Sequence, residues 1–183
     1  MTRLRPVALA ITGGIGAGKS AALAAFARHG AATLSADEVV HELITHDVAV
    51  RTALEERFGS TDRSRIAEIV FADPEELTWL EALLHPRVQQ RTAEWLGEVD
   101  TPVAVVEIPL LYETGGEGRF DKVVVVTAPA EVRRARSGAA GGAREGRLLP
   151  DAEKARRADF VYENAGSLGD LDRFVASVLE EVA

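Results

Sequence analysis

The sequence predicts an α/β fold of three layers (α/β/α) on a five-stranded parallel sheet, with a helical insert. Three observations carry that reading. Val103-Ala104-Val105-Val106 and Val123-Val124-Val125-Val126 are unbroken apolar runs, the pattern of strands buried on both faces. Long helix-forming connections separate the strand candidates, and parallel neighbours need such crossovers, right-handed almost without exception. A glycine-rich turn follows the first apolar run and leads directly into a helix-forming segment. Strands are expected near residues 7–12, 31–35, 103–108, 122–127 and 159–163.

The first strand is Val7-Ala8-Leu9-Ala10-Ile11-Thr12, and the turn behind it is Gly13-Gly14-Ile15-Gly16-Ala17-Gly18-Lys19-Ser20. This fits the phosphate-loop pattern G-x-x-x-x-G-K-[ST], in the strand–loop–helix context the pattern requires. Glycines let the backbone turn tightly and bring successive N–H groups to phosphate oxygens. The helix start at Ala21-Ala22-Leu23-Ala24-Ala25-Phe26 adds unpaired donors and the positive end of a dipole. Lys19 can reach the β- and γ-phosphates, and the Ser20 hydroxyl can take a Mg²⁺ position. The chain is therefore read as binding a nucleoside triphosphate.

His29-Gly30 ends that helix, and Ala31 to Ser35 form a short second strand. Asp37 follows, where a helix is expected from about Glu38. Parallel sheets bind ligands outside the carboxyl ends of their strands, which directs Asp37 and the loop to one crevice. A helix cap explains Asp37 equally well at this stage. Residues 47–97 read as a helical insert on the acceptor side, with apolar spacings of three and four over 48–58, 63–71 and 75–84. Asp73-Pro74 before Glu75-Glu76 marks a helix start, and Pro86 is expected to kink or interrupt the helix that follows. His85 draws notice because it precedes that break, although a lone histidine is commonly packed or solvated. The four histidines have no ligand spacing, so no zinc site is expected.

Glu107 breaks the Val103 run near its carboxyl end, where an acid could support Mg²⁺ or the attacking hydroxyl, or could be a solvated edge residue. Pro129 opens the next helix. Arg133, Arg134 and Arg136 then precede the small-residue stretch Ser137 to Ala143, with Arg144 and Arg147 beyond it. This region, about 133–150, reads as a short lid whose arginines could cover a triphosphate, or as a basic helix face with a linker. Phe160-Val161-Tyr162, Asn164 and a final amphipathic helix from Leu168 to Val182 close the chain.

Bulk properties narrow the function. With 183 residues, no internal repeat and no interdomain linker, residues 1–183 are expected to form one domain. A net charge of −8 argues against broad binding to nucleic acid or an anionic membrane, though not against a local phosphate pocket. The absence of cysteine excludes disulfides, thiolate metal sites and cysteine nucleophiles, and is compatible with a cytoplasmic setting. No segment has the run of about 18 apolar residues that a membrane span needs. The apolar run behind the basic N-terminus breaks at Gly13-Gly14, unlike a signal peptide.

Taken in order, several blocks resemble the dephospho-coenzyme A kinase family over nearly the whole chain. They are Ile11 to Ser20, Ser35-Ala36-Asp37, Ile69-Val70-Phe71, Leu83-Leu84-His85-Pro86, Ile108-Pro109-Leu110-Leu111-Tyr112-Glu113, and Lys154 through Asn164-Ala165-Gly166-Ser167. The resemblance implies a P-loop NTPase fold and Mg²⁺-supported, ATP-dependent phosphorylation of the ribose 3′-hydroxyl of dephospho-coenzyme A. By position it implies Asp37 and Lys19 as catalytic residues, Asp37 being the base or orienting group. It implies ATP contacts from Gly13, Gly14, Ile15, Gly16, Ala17, Gly18, Lys19, Ser20 and Ala21, with Arg136 and Asn164. For the acceptor it implies Thr12, Asp37, His85, Pro109, Leu110, Leu111 and Glu113. The chain departs from the family pattern in having Ser35 for an Asp, Ala21 for a Thr, Leu148 for a Gln, and shorter connections after Phe58-Gly59 and through the lid, where an Arg-Asp pair is missing. Two alternatives share these residues: a related kinase with another small acceptor, and an ATP-binding regulator whose trimmed lid no longer supports transfer. Lys19, Ser20 and Asp37 together favour an enzyme, since binding alone does not need Asp37.

Overall fold

β-Branched residues fill the strands and alanines fill the first helix, so local preference and burial agree along most of the chain. The computed structural model describes residues 5–137 and 148–182. In chain order the strands are β1 (Val7–Gly13), β2 (Ala32–Ser35), β3 (Val103–Glu107), β4 (Lys122–Thr127) and β5 (Phe160–Glu163). The helices are α1 (Lys19–Arg28), α2 (Ala36–His46), α3 (Val48–Phe58), α4 (Arg63–Ala72), α5 (Pro74–Glu98), α6 (Ala130–Ser137), α7 (Asp151–Arg157) and α8 (Leu168–Val182). All five expected strands are present. Their order is β2-β3-β1-β4-β5 and every pairing is parallel. The small-residue stretch at 138–143 and the arginines Arg144 and Arg147 lie outside the described residues. Among the described residues no helix is long and apolar enough to cross a membrane.

The chain forms two compact units, Met1–Ser35 with Leu96–Ala183, and Ala36–Trp95. In the first, alternate residues of each strand face opposite ways. Leu9, Ile11, Val105, Val124 and Val126 pack with Ala22, Ala25 and Phe26 of α1 and Leu171, Val175 and Val178 of α8. Ala10, Val123 and Val125 pack instead with Leu111 and Tyr112 from the turn after β3. The register aligns the strand ends: Ile11 opposes Glu107, Gly13 opposes Val126, and Thr127 opposes Glu163. Ser167 and Asp170 cap α8 reciprocally, Asp170 N–H donating to Ser167 Oγ (3.2 Å) and Ser167 N–H to Asp170 Oδ2 (2.7 Å). The Ser167 hydroxyl and amide hold the Asp170 carboxyl below its ordinary pKa.

One buried ion pair joins distant parts of this unit. Lys154 has no exposed side-chain surface, and its Nζ lies 2.8 Å from Glu113 Oε1, which also accepts the Leu149 N–H at 3.0 Å. Lys154→Met is expected to cost about 3–5 kcal/mol in denaturant unfolding, because it strands the Glu113 charge. Lys154→Met with Glu113→Leu should recover most of that loss, since a buried pair exchanged for apolar groups is close to neutral. A single variant as stable as wild type would show that the pair contributes nothing.

The second unit is helical. Asp47, Asp62 and Asp73 start three of its helices, accepting from the N–H groups of Val50, Arg65 and Glu75 at 3.0, 2.9 and 2.9 Å. Phe58 meets Trp79 edge-on, with centroids 5.3 Å apart. Arg57, forked on Glu76 at 2.8 Å, lies 5.5 Å from the Trp79 centroid. Two expectations are corrected here. Helix α5 runs unbroken through Pro86, so His85 lies inside a helix and not in a break. Proline removes the donor that the Ala82 carbonyl would otherwise receive, and the Arg87 guanidinium donates to the neighbouring Leu83 carbonyl at 2.6 Å. Helix α2 begins at Ala36, so Asp37 stands within its first turn and not at its cap.

Candidate active site

The phosphate loop leaves β1, the middle strand of the sheet, and two glycines make its path possible. Gly13 has φ 148°, and a Cβ there would sit 2.0 Å from the Val126 carbonyl oxygen. Gly18 has φ 100°, and a Cβ there would sit 2.1 Å from Asn164 Nδ2. Only glycine accepts both the backbone conformation and the approach. Helix α1 opens directly behind Gly18, with no side-chain cap and no acidic residue in its first turn. Its first N–H donors and dipole are thus left to an external anion.

The two chemically active side chains of the loop point to its mouth. Lys19 Nζ donates to the Gly14 carbonyl at 3.1 Å, which folds the ammonium over the loop. Ser20 Oγ lies 3.4 and 3.3 Å from the two carboxylate oxygens of Glu107. Glu107 ends β3 and is buried, so it is not the solvated edge residue that its place in the sequence also allowed. A hydroxyl beside a carboxylate is a hard oxygen donor set, and it suits Mg²⁺, a cation bound by one or two protein oxygens together with phosphates. Among the described residues no group of three or more His, Cys, Asp or Glu side chains converges as a metal centre.

The remaining loop contacts brace its carbonyl side. Asn164 donates its backbone N–H to the Thr127 carbonyl (2.7 Å) and its side-chain amide to the Ala17 carbonyl (2.9 Å). Arg136 Nη1 lies 3.5 Å from both the Gly16 and Ala17 carbonyls. Arg133 Nε lies 3.8 Å from Asp151 Oδ2. Ile15 and Gly16 are half-buried, and Ala21 packs against the core.

Three of the expected acceptor residues have other work. Thr12 is fully buried, and its hydroxyl donates to the Pro109 carbonyl at 3.3 Å. Its side chain holds the turn after β3 and is not a lining group. Leu111 is likewise fully buried, packed in the core with Ala10, Val123 and Val125. Glu113 is committed to Lys154 and the Leu149 amide. Pro109 and Leu110 are half-buried beside them. In the helical unit Asp37 is exposed in the first turn of α2, and His85 is half-buried midway along α5. Among the described residues no backbone N–H of α2 donates to the Asp37 carboxylate, so the capping role weighed for it is not seen. Sequence reasoning did not find Asp151 or the Lys154–Glu113 pair, because both contacts join residues far apart in the chain. No local pattern around residues 151 and 154 marks either contact.

A family model described as dephospho-CoA kinase matches residues 7–170. A dephospho-CoA kinase of Brucella melitensis is 38% identical over 189 residues, covering 94% of each chain. Among solved structures, the Thermus thermophilus protein TT1252 is 38% identical with a TM-score of 0.83, over 98% of this chain and 100% of its own. A dephospho-CoA kinase from Campylobacter jejuni is 26% identical with a TM-score of 0.72, over 97% of each chain.

Proposed function

The chain belongs to the dephospho-CoA kinase family, and we propose that Lys19, Ser20, Glu107 and Asp37 share the work of its reaction. That reaction is ATP-dependent phosphorylation of dephospho-CoA, which completes coenzyme A. We assign the ribose 3′-hydroxyl as the attacking group. Its oxygen forms a bond to the γ-phosphorus, the bond from that phosphorus to the β,γ-bridging oxygen breaks, and ADP leaves. Asp37 orients the hydroxyl and takes its proton. Loop N–H groups and Lys19 hold the β- and γ-phosphates and offset the charge that develops on them. Ser20 and Glu107 would hold Mg²⁺, which when bound neutralises charge on the β- and γ-phosphates. Asn164 and Arg136 keep the loop in shape around the nucleotide. His85, Pro109 and Leu110 contribute to the acceptor side, and residues 1–183 act as one catalytic domain in which the helical segment is the acceptor insert.

The observation that carries this reading is the family match over residues 7–170 with every fixed position of the loop motif intact. We place the activity in the cytoplasm, a setting with which a cysteine-free, acidic chain is compatible. The test is product analysis after incubation with Mg²⁺, ATP and dephospho-CoA. ADP and coenzyme A should form in equal amounts, and a 3′-deoxy analogue of the acceptor should give no product. Turnover of another small alcohol in place of dephospho-CoA would overturn the assignment.

A further inference from the structure

We propose that Asp151 is a positioning residue for phosphoryl transfer, holding the Arg133 guanidinium at the Gly14 edge of the phosphate loop to serve the terminal phosphate of the nucleotide. This rests on the reading of the chain as an ATP-dependent kinase. A methyl group placed on Gly14 would come 2.9 Å from Arg133 Nη1 and 2.8 Å from Asp151 Oδ1, so both groups lie over one Cα of the loop. The same helix leans on the loop through its backbone, the Arg133 carbonyl oxygen lying 2.7 Å from a Cβ built on Gly16. Both side chains are largely enclosed, at 23% and 21% exposure, which strengthens their attraction relative to a surface pair.

The three described arginines of α6 are not equivalent. Arg134 is exposed and donates to the Ala130 carbonyl of its own helix at 3.3 Å. Arg136 is exposed and reaches loop carbonyls, the side of the loop opposite in polarity to its N–H donors. Arg133 alone of the three is half-buried against the Gly14 edge. A carboxylate over a phosphate loop repels the ligand unless something offsets it, and Arg133 is the offset. The guanidinium carries five N–H donors in a fixed fork, so it can present one edge to a phosphate while Asp151, 3.8 Å from its Nε, sets its direction. The simpler alternative is that Asp151, the first residue of α7, only favours that helix's dipole.

A double-mutant cycle separates the two. Arg133→Ala, Asp151→Asn and the double variant are compared for kcat and KM toward ATP, with melting curves and calorimetric titration by ATP and ADP. Arg133→Ala should lower kcat/KM about 10²-fold, within the range for losing one charge-stabilising donor. Asp151→Asn should lower it about tenfold, in kcat more than in KM, as expected of a misaimed group. The double variant should be no worse than Arg133→Ala, Asp151→Glu should recover most of the loss, and the affinity for ATP should weaken more than that for ADP. Losses that multiply in the double variant would assign Asp151 to another task. Tighter ATP binding by Asp151→Asn would mean that the carboxylate competes with phosphate. If Asp151→Asn melts early, Asp151→Ser carries the same cycle. The titrations need no acceptor, so this inference can fail while the wild-type protein still phosphorylates dephospho-CoA, and the reverse.

Discussion

Lys19→Ala should lose at least about 10³-fold in kcat/KM, the upper end of the range for one charge-stabilising donor, while the protein stays folded. The ammonium folds over the loop and donates a 3.1 Å hydrogen bond to the Gly14 carbonyl. Such a bond is worth about 0.5–1.5 kcal/mol, a shift of a few degrees in melting temperature. By contrast, the charge on the transferring group is offset most strongly where water is excluded, and loop N–H groups cannot replace a full positive charge. The measurement is steady-state kinetics beside a melting curve. A variant that unfolds early, and loses activity only in proportion to the folded fraction, would make Lys19 a structural residue.

For Asp37→Asn the expected result is a fall of about 10²–10⁴-fold in kcat, the range for a positioned acid or base, with ATP affinity near wild type. Asp37 is exposed in the first turn of α2, so its structural contribution is confined to the helix dipole, at about 0.3–1 kcal/mol. Asparagine keeps the shape and gives up the charge, which removes proton acceptance and little else. Single-turnover phosphorylation of dephospho-CoA, with ATP affinity titrated separately, tells the two roles apart. Turnover within a factor of about three of wild type, well below the catalytic range, would return Asp37 to a dipole role.

What was legible in the chain is what local pattern controls. The Val103 and Val123 runs admit little besides buried strands, and a loop of fixed glycine spacing between a strand and a helix carries its own conformation. Those two features were enough for the parallel sheet and for the places of Lys19, Ser20 and Glu107. Side-chain direction within an irregular turn was not legible. Thr12 and Leu111 lie in blocks shared with the family, yet packing turns both inward, and no periodicity in Pro109 to Glu113 announces which residue will face the core. Pro86 misled for a related reason. Its local penalty is about 3 kcal/mol, and in a 25-residue helix the rest of the element outweighs it. Pairs such as Lys154–Glu113 and Arg133–Asp151 depend on the tertiary fold that brings distant residues together. No local signal encodes them.

The strand order has a consequence in the language of amide exchange. Strand β1 is paired on both sides, to β3 and β4, and its residues Ala8 to Gly13 are buried. Its amides meet solvent only when the sheet opens, so the phosphate loop is tethered to a segment of the sheet's centre. Strand β2 is an edge of four residues, paired to β3 alone and half-buried throughout, and Asp37 follows it by two residues. Openings there cost only a fraction of the global free energy. The donor end of the reaction is thus held for the lifetime of the fold, whereas the residue assigned to the acceptor hangs from a segment that opens and recloses many times within it.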